Sequence, residues 1–412
     1  MAIHDLRSHI PKYETHSTLL SVCIMIFFFV IFDGVLMYLA PIIITGAGIS
    51  ESMMGLIIGS SSIAGMLFDF VLCRVIKETH YRRMFLFMLA LAALYPLFLF
   101  GGTTVTIYLI AMAVWGFYYD FYNMGTLDFV ERTADPKQHV SNFGVLRAFE
   151  GLGYLLAPFA GSVLLLLVHP GPRMLAVLAA PLIISFLFYI IIMLRPVTER
   201  DEYDGVVQKD ILTFLTEMHL WKQIGLVLLP ILALTLTINM VDSAIWTFGP
   251  IFSEQVGKAN GFSGGIFMTA YALPPLLVGW IVGTIARKHG MKRTAQGAIA
   301  VGSILLIFVG MVTVPVFLIP LIFIASFCLA IGWPSINAIY TDYIQSNPVY
   351  RKETETLQDL FTNVGDTSGP IVGGYMAQYL GSTHTFVALG GVGLVIAVFL
   401  FVMTSRGITV QK

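Results

Sequence analysis

Residues 17–44 read STLLSVCIMIFFFVIFDGVLMYLAPIII, an apolar run with one charge, Asp33, and a proline, Pro41, eight residues later. A helix crosses a bilayer with about 20 apolar residues, so this stretch is long enough to span. Barrel strands would show short alternation instead. The run lacks a small-residue cleavage site and is too long for a signal peptide.

Eleven similar runs follow, at roughly 53–75, 83–101, 105–127, 140–168, 172–195, 223–251, 262–286, 294–314, 316–343, 355–380 and 384–404. Composition agrees with them: 57% of residues are apolar and 11% are charged. A soluble protein carries about 25% charge, so there is too little here for a solvated surface. Disorder is excluded on the same ground. A net charge of −1 offers no basic face, so nucleic acid is not an expected partner. Cys23, Cys73 and Cys328 lie far apart and form neither a disulfide framework nor a metal motif.

With the N-terminus inside, twenty of the 23 Lys and Arg residues fall on inside segments. Arg173 and Lys258 fall on outside loops, and Arg147 lies within a span. This asymmetry orients the chain with both termini cytoplasmic, in the plasma (inner) membrane. Residues 196–222 form the long central connection. They begin acidic, then carry Ile211, Leu215, Met218 and Trp221 at helical spacing. They read either as an amphipathic helix on the inner surface or as a simple linker.

The opening stretch has a second copy. Span 7 holds Asp242 and Pro250 at the spacing of Asp33 and Pro41. Asn123 and Asp128 in span 4 answer to Asn337 and Asp342 in span 10. Gly153, Pro158 and Gly161 in span 5 answer to Gly365, Pro370 and Gly373 in span 11. The chain therefore divides into a bundle over 1–195, a linker over 196–222 and a bundle over 223–412. The fold class is an all-α membrane protein of twelve spans, as two six-helix bundles related by a pseudo-two-fold. Bundles so related can hold a solute at their interface and rock about it.

Over its whole length the chain resembles the major facilitator superfamily. The loop after span 2 is similar to the family's signature of Gly, three residues, Asp and a basic cluster. Here it is Gly65 and Asp69, then Arg74, Lys77, Arg82 and Arg83, with Phe70 and Leu72 where a basic residue and Gly are usual. The resemblance implies a conformational latch at Gly65, Asp69 and Arg74. Span 11 carries Gly365-Asp-Thr-Ser-Gly369-Pro370-Ile-Val-Gly373-Gly374, which resembles a motif the family's antiporters carry in span 5. From the residues alone, Gly369, Pro370, Gly373 and Gly374 let helices approach closely. Span 5, from Phe143 through Arg147 to Gly153, is similar to the sugar-symporter branch, in which an Arg meets an acid of span 4. The resemblance also implies that spans 1, 4, 7 and 10 line the cavity.

A charge at bilayer depth costs about 3 kcal/mol or more unless it meets water or a partner. Asp33, Asp120, Arg147, Glu150, Asp242 and Asp366 are left within spans. Asp33 and Asp242 are expected to face one cavity and either carry protons or bind a cation. A carboxyl in a water-poor cavity beside another holds its proton more tightly than in water. Alternatively, each bonds backbone freed near Pro41 or Pro250. Arg147 and Glu150 share a helix face, and Asp120 lies at similar depth in span 4. An Asp120–Arg147–Glu150 cluster is therefore possible, either working or static. Tyr119, Asn123, Asn239 and Trp246 neighbour these charges and are expected to line the cavity. Asp128 and Asp342 read as solvated or loop-bound.

All nine histidines fall at or outside span ends, which argues against a buried metal. No Gly-x4-Gly-Lys-Ser/Thr loop is present, so neither ATP nor another cofactor is expected. The reading is a monomeric, proton-coupled secondary transporter of a small organic solute, and not an enzyme. Export by antiport is favoured over uptake of a sugar or other polar metabolite by symport. Two other classes compete. One is a transport-dead sensor. The other is an intramembrane aspartyl protease, which Tyr119-Asp120 and Gly365-Asp366 match only in part.

Overall fold

The structure is a computed structural model that describes residues 12–75, 80–133, 139–195, 214–279, 281–312 and 314–404. The side chains of Asp69 and Arg74, expected in the latch, lie outside the described residues, as does segment 196–213 of the expected linker. Among the described residues every regular element is helical. The first bundle comprises α1 (Lys12–Gly46), α2 (Glu51–Val75), α3 (Tyr81–Gly101), α4 (Val105–Thr133), α5 (His139–Leu167) and α6 (Pro172–Leu194). The second comprises α7 (Phe214–Asn260), α8 (Gly265–Ala272), α9 (Pro274–Val278), α10 (Val282–His289), α11 (Met291–Val309), α12 (Pro315–Ser346), α13 (Arg351–Leu380) and α14 (Ser382–Thr404). The last residues of the expected linker, from Phe214 on, are helical and continuous with α7.

The packing repeats as the sequence does. In the first bundle α1 packs on α5 and α6, and α3 packs on α4. In the second, α7 packs on α13 and α14, and α11 packs on α12. Among the described residues ten helices are long and apolar enough to cross a membrane. The eighth span is broken into α8, α9 and α10, with a bend of 64° before Val282. The break between α8 and α9 has a local cause. Pro274 and Pro275 bring no N–H to the helix, so the carbonyl of Tyr271 loses its partner four residues on. Ser326 of α12 donates to that carbonyl at 2.6 Å, as a freed group at membrane depth requires. The twelfth member of the count is α13, which is long enough but carries Asp359, Asn363 and Asp366.

The bundles meet closely at the end opposite the basic loops. There α2 lies against α13: a Cβ built on Gly374 would stand 2.9 Å from Gly55 Cα. Likewise α5 lies against α8: a Cβ on Gly265 would stand 2.8 Å from Phe159 Cα. Polar ties join the same end. Buried Tyr38 of α1 donates to Glu254 of α7 at 2.6 Å and lies 3.0 Å from Ser253 Oγ. Ser263 Oγ donates to Ser162 Oγ at 2.9 Å, and the Ser52 N–H donates to Gln378 Oε1 at 3.1 Å.

The span 11 motif has two faces. Gly365, Gly369 and Gly373 lie against α7, within their own bundle, where Ser243 Oγ donates to the Gly365 carbonyl at 3.3 Å. Pro370 and Gly374 lie against α2 across the interface.

Candidate functional site

Between the bundles lies a cavity of about 550 Å³, walled by α1 to α5 on one side and by α7, α8, α9, α12 and α13 on the other. Its size suits a small organic molecule. Tyr119, Asp120, Arg147, Asp242 and Trp246 line it, and so does Asp366. Gly65 lines it too, with its Cα hydrogens toward Asp120: a Cβ built there would stand 3.0 Å from Asp120 Oδ2.

Asp33 differs from its repeat partner. It is fully buried and stands one layer behind the wall. Its carboxylate accepts from Trp115 Nε1 at 2.9 Å, Tyr118 OH at 2.5 Å and Tyr154 OH at 2.9 Å. These donors come from side chains rather than from backbone freed near Pro41. Trp115 and Tyr154 are wall residues, so they separate Asp33 from the cavity. Asp242 stands in the wall itself and accepts from Tyr271 OH at 2.5 Å. Trp246 packs edge-on to the same Tyr271 ring at 6.1 Å.

Arg147 and Glu150 pair as their spacing of three on one helix implies, through Nη1 at 2.9 and 2.8 Å from the two carboxylate oxygens. The Arg147 side chain is 63% exposed and that of Glu150 8%, so Glu150 backs the guanidinium from inside the bundle. Asp120 sits over Gly65 of α2 and lines the same cavity as Arg147.

Asn239 donates to the Thr235 carbonyl at 2.8 Å and accepts from Trp333 Nε1 at 3.3 Å. It lines a smaller recess toward the basic end. Asn123 is exposed on α4 and does not line the main cavity. Of the two readings of Asp128, solvated or loop-bound, the first fails, since the residue is buried. It accepts from the Tyr81 N–H at 2.6 Å and pairs with Arg132 at 2.9 Å, capping the start of α3. The Tyr38–Glu254 tie carried no signal in the sequence beyond an acid four residues after Pro250. Among the described residues no group of three or more His, Cys, Asp or Glu side chains gathers as metal ligands.

The fold is shared with solved transporters. The nucleoside transporter NupG is 17% identical, with a TM-score of 0.76, covering 95% of this chain and 100% of that one. A bacterial homologue of the human lysosomal transporter Spinster, in an inward-facing and unoccupied conformation, is 14% identical. Its TM-score is 0.74, over 96% of this chain and 98% of that one. A peptide transporter, POT, solved with sulfate, is 13% identical with a TM-score of 0.68, over 94% of each chain. No curated protein matches by sequence. The family model described as Major Facilitator Superfamily matches residues 22–350. Helix order, repeat-related packing, an interfacial cavity and that match lead to one assignment: the chain belongs to the Major Facilitator Superfamily and is a membrane transporter, not an enzyme.

Proposed function

We propose that this transporter is a proton-coupled antiporter that exports a small organic solute from the cytoplasm by alternating access. The observation that carries the reading is Asp242, a carboxyl in the cavity wall held by a neighbouring tyrosine. A carboxyl at such a site can give up its proton when the solute arrives and take one back when it leaves. Asp33, behind the wall, is tied to the cavity through Trp115 and Tyr154 and would follow changes in its charge. With the basic loops inside, as the Lys and Arg distribution favours, the tight bundle contacts are periplasmic or external. The cavity then opens to the cytoplasm, and both termini lie there. The protein would work as a monomer in the plasma (inner) membrane.

The test is solute-induced proton movement in proteoliposomes loaded with a pH dye. Asp242→Asn should abolish it, and full activity in that variant would sink the coupling. A second reading is uptake by proton symport. It is favoured by Arg147, whose exposed guanidinium offers donors to a polar solute. The direction of proton movement relative to solute flux separates the two.

A further inference from the structure

The wall of the cavity has an uneven chemistry. Several of its N–H and O–H groups are spent on the protein's own acceptors. Trp115 and Tyr154 donate to Asp33, Tyr271 donates to Asp242, and Trp333 donates to Asn239. The guanidinium of Arg147 is neutralised by Glu150. Beside the exposed guanidinium of Arg147, the wall offers a ligand carboxylates and ring faces.

Prolines also free backbone carbonyls on the helices around the cavity. Each proline inside a helix removes the N–H that the carbonyl four residues earlier would bind. Pro41, Pro158, Pro250, Pro275 and Pro370 release in this way the carbonyls of Met37, Tyr154, Trp246, Tyr271 and Asp366. All five of those residues line the cavity. Ser326 takes up the carbonyl of Tyr271. The pattern follows the repeat, with Pro41 answering to Pro250 and Pro158 to Pro370.

One departure from the repeat sharpens the charge. By the offset that relates Pro158 to Pro370, Tyr154 in the first bundle corresponds to Asp366 in the second. The first bundle thus sets a tyrosine beside its acid, with Tyr154 donating to Asp33. The second sets a carboxyl beside its acid. Asp242 and Asp366 stand one residue to either side of the Ser243–Gly365 contact between α7 and α13, and both are in the wall.

Resting on the reading of this cavity as the transport site, we propose that its substrate is a lipophilic organic cation, held by Asp242 and Asp366 against aromatic faces that include Trp246. Ring faces attract cations, and a carboxylate holds one by charge without presenting a donor. Protonating the carboxyls removes the charge the cation needs. Proton and cation therefore exclude one another, which is the exchange an antiporter performs.

The test uses two ions of one shape and opposite charge, tetraphenylphosphonium and tetraphenylborate. Each is titrated calorimetrically into the purified full-length protein at pH 8 and pH 5. Tetraphenylphosphonium should bind about tenfold tighter than the borate at pH 8, and about tenfold weaker at pH 5 than at pH 8. Asp366→Asn should weaken it by a similar factor, and gel filtration reports whether that variant folds. If it does not, the ion comparison in the unaltered protein decides alone. Equal binding of the two ions, or no binding of the phosphonium, overturns the proposal. Uridine is the third arm. Proton-driven flux of uridine without phosphonium binding would sink the cation and leave the transport reading standing. Phosphonium binding without proton-driven phosphonium flux would sink the reading of this cavity as the transport site.

Discussion

A single methyl group at Gly374 should shift the conformational balance of the whole molecule. Its Cβ would stand 2.9 Å from Gly55 Cα and 3.1 Å from Gly55 N, and closer still to the Glu51 carbonyl oxygen. An ordinary carbon contact begins at about 3.5 Å, so α2 and α13 would have to part by about 0.5 Å or more. Both neighbours are backbone, which cannot swing aside as a side chain can. Overpacking of this kind costs about 1–3 kcal/mol. The strain exists only while the bundles touch at this end. Gly374→Ala should therefore move the equilibrium about 5- to 150-fold toward the state in which that end is open. Gly369→Ala is the control. It crowds Ser243 and Met240 of α7, inside one bundle, and that contact should travel intact through any rocking. It should lower stability without biasing the state. The assay is the distance between spin labels at Ala47 and Asn260, at the ends of α1 and α7, with Cys23, Cys73 and Cys328 replaced by alanine. The Gly374 variant should lengthen that distance and the Gly369 variant should not. An unchanged distribution in a folded Gly374→Ala protein, or the same change in both, would refute the assignment of the two faces.

Other perturbations read other contacts. Tyr38→Phe removes the O–H bonded to buried Glu254 and should open the same end, seen as faster alkylation of a cysteine placed at Ser253. Arg147→Ala leaves Glu150 without its partner and should cost about 1–3 kcal/mol in detergent unfolding, with much of it recovered in Arg147→Ala/Glu150→Gln. Should the double variant be no more stable than the single, the pair is not what holds this part of α5. Ser326→Ala strips the Tyr271 carbonyl of its donor and should cost about 1–3 kcal/mol, read in the same unfolding assay.

The sequence carried the spans and their pairing because both are periodic. Apolar runs of bilayer length mark helices, and matched Asp, Gly and Pro positions mark which helices correspond. Neighbours on one helix were legible too: Arg147 and Glu150, three apart, do pair. Contacts between distant helices were not. Asp33 is withdrawn from the cavity by donors 82, 85 and 121 residues away, and nothing in its own span announces them. The same holds for Tyr38 and Glu254, 216 residues apart. Asp128 looked like a loop acid because its role depends on the start of α3 arriving beside it. The glycines of span 11 showed that helices approach closely, but not that alternate members serve different neighbours. That division depends on where α2 and α7 stand around α13.

The two faces of α13 also set how damage at one position can be repaired. A fault at Gly374 or Pro370 is a misfit between halves, so second-site suppressors should arise on α2, around Glu51 to Gly59. A fault at Gly365, Gly369 or Gly373 is a misfit within one half, and its suppressors should arise on α7, around Leu236 to Ala244. Ten residues of one helix would thus hold two genetic complementation maps, interleaved along its length.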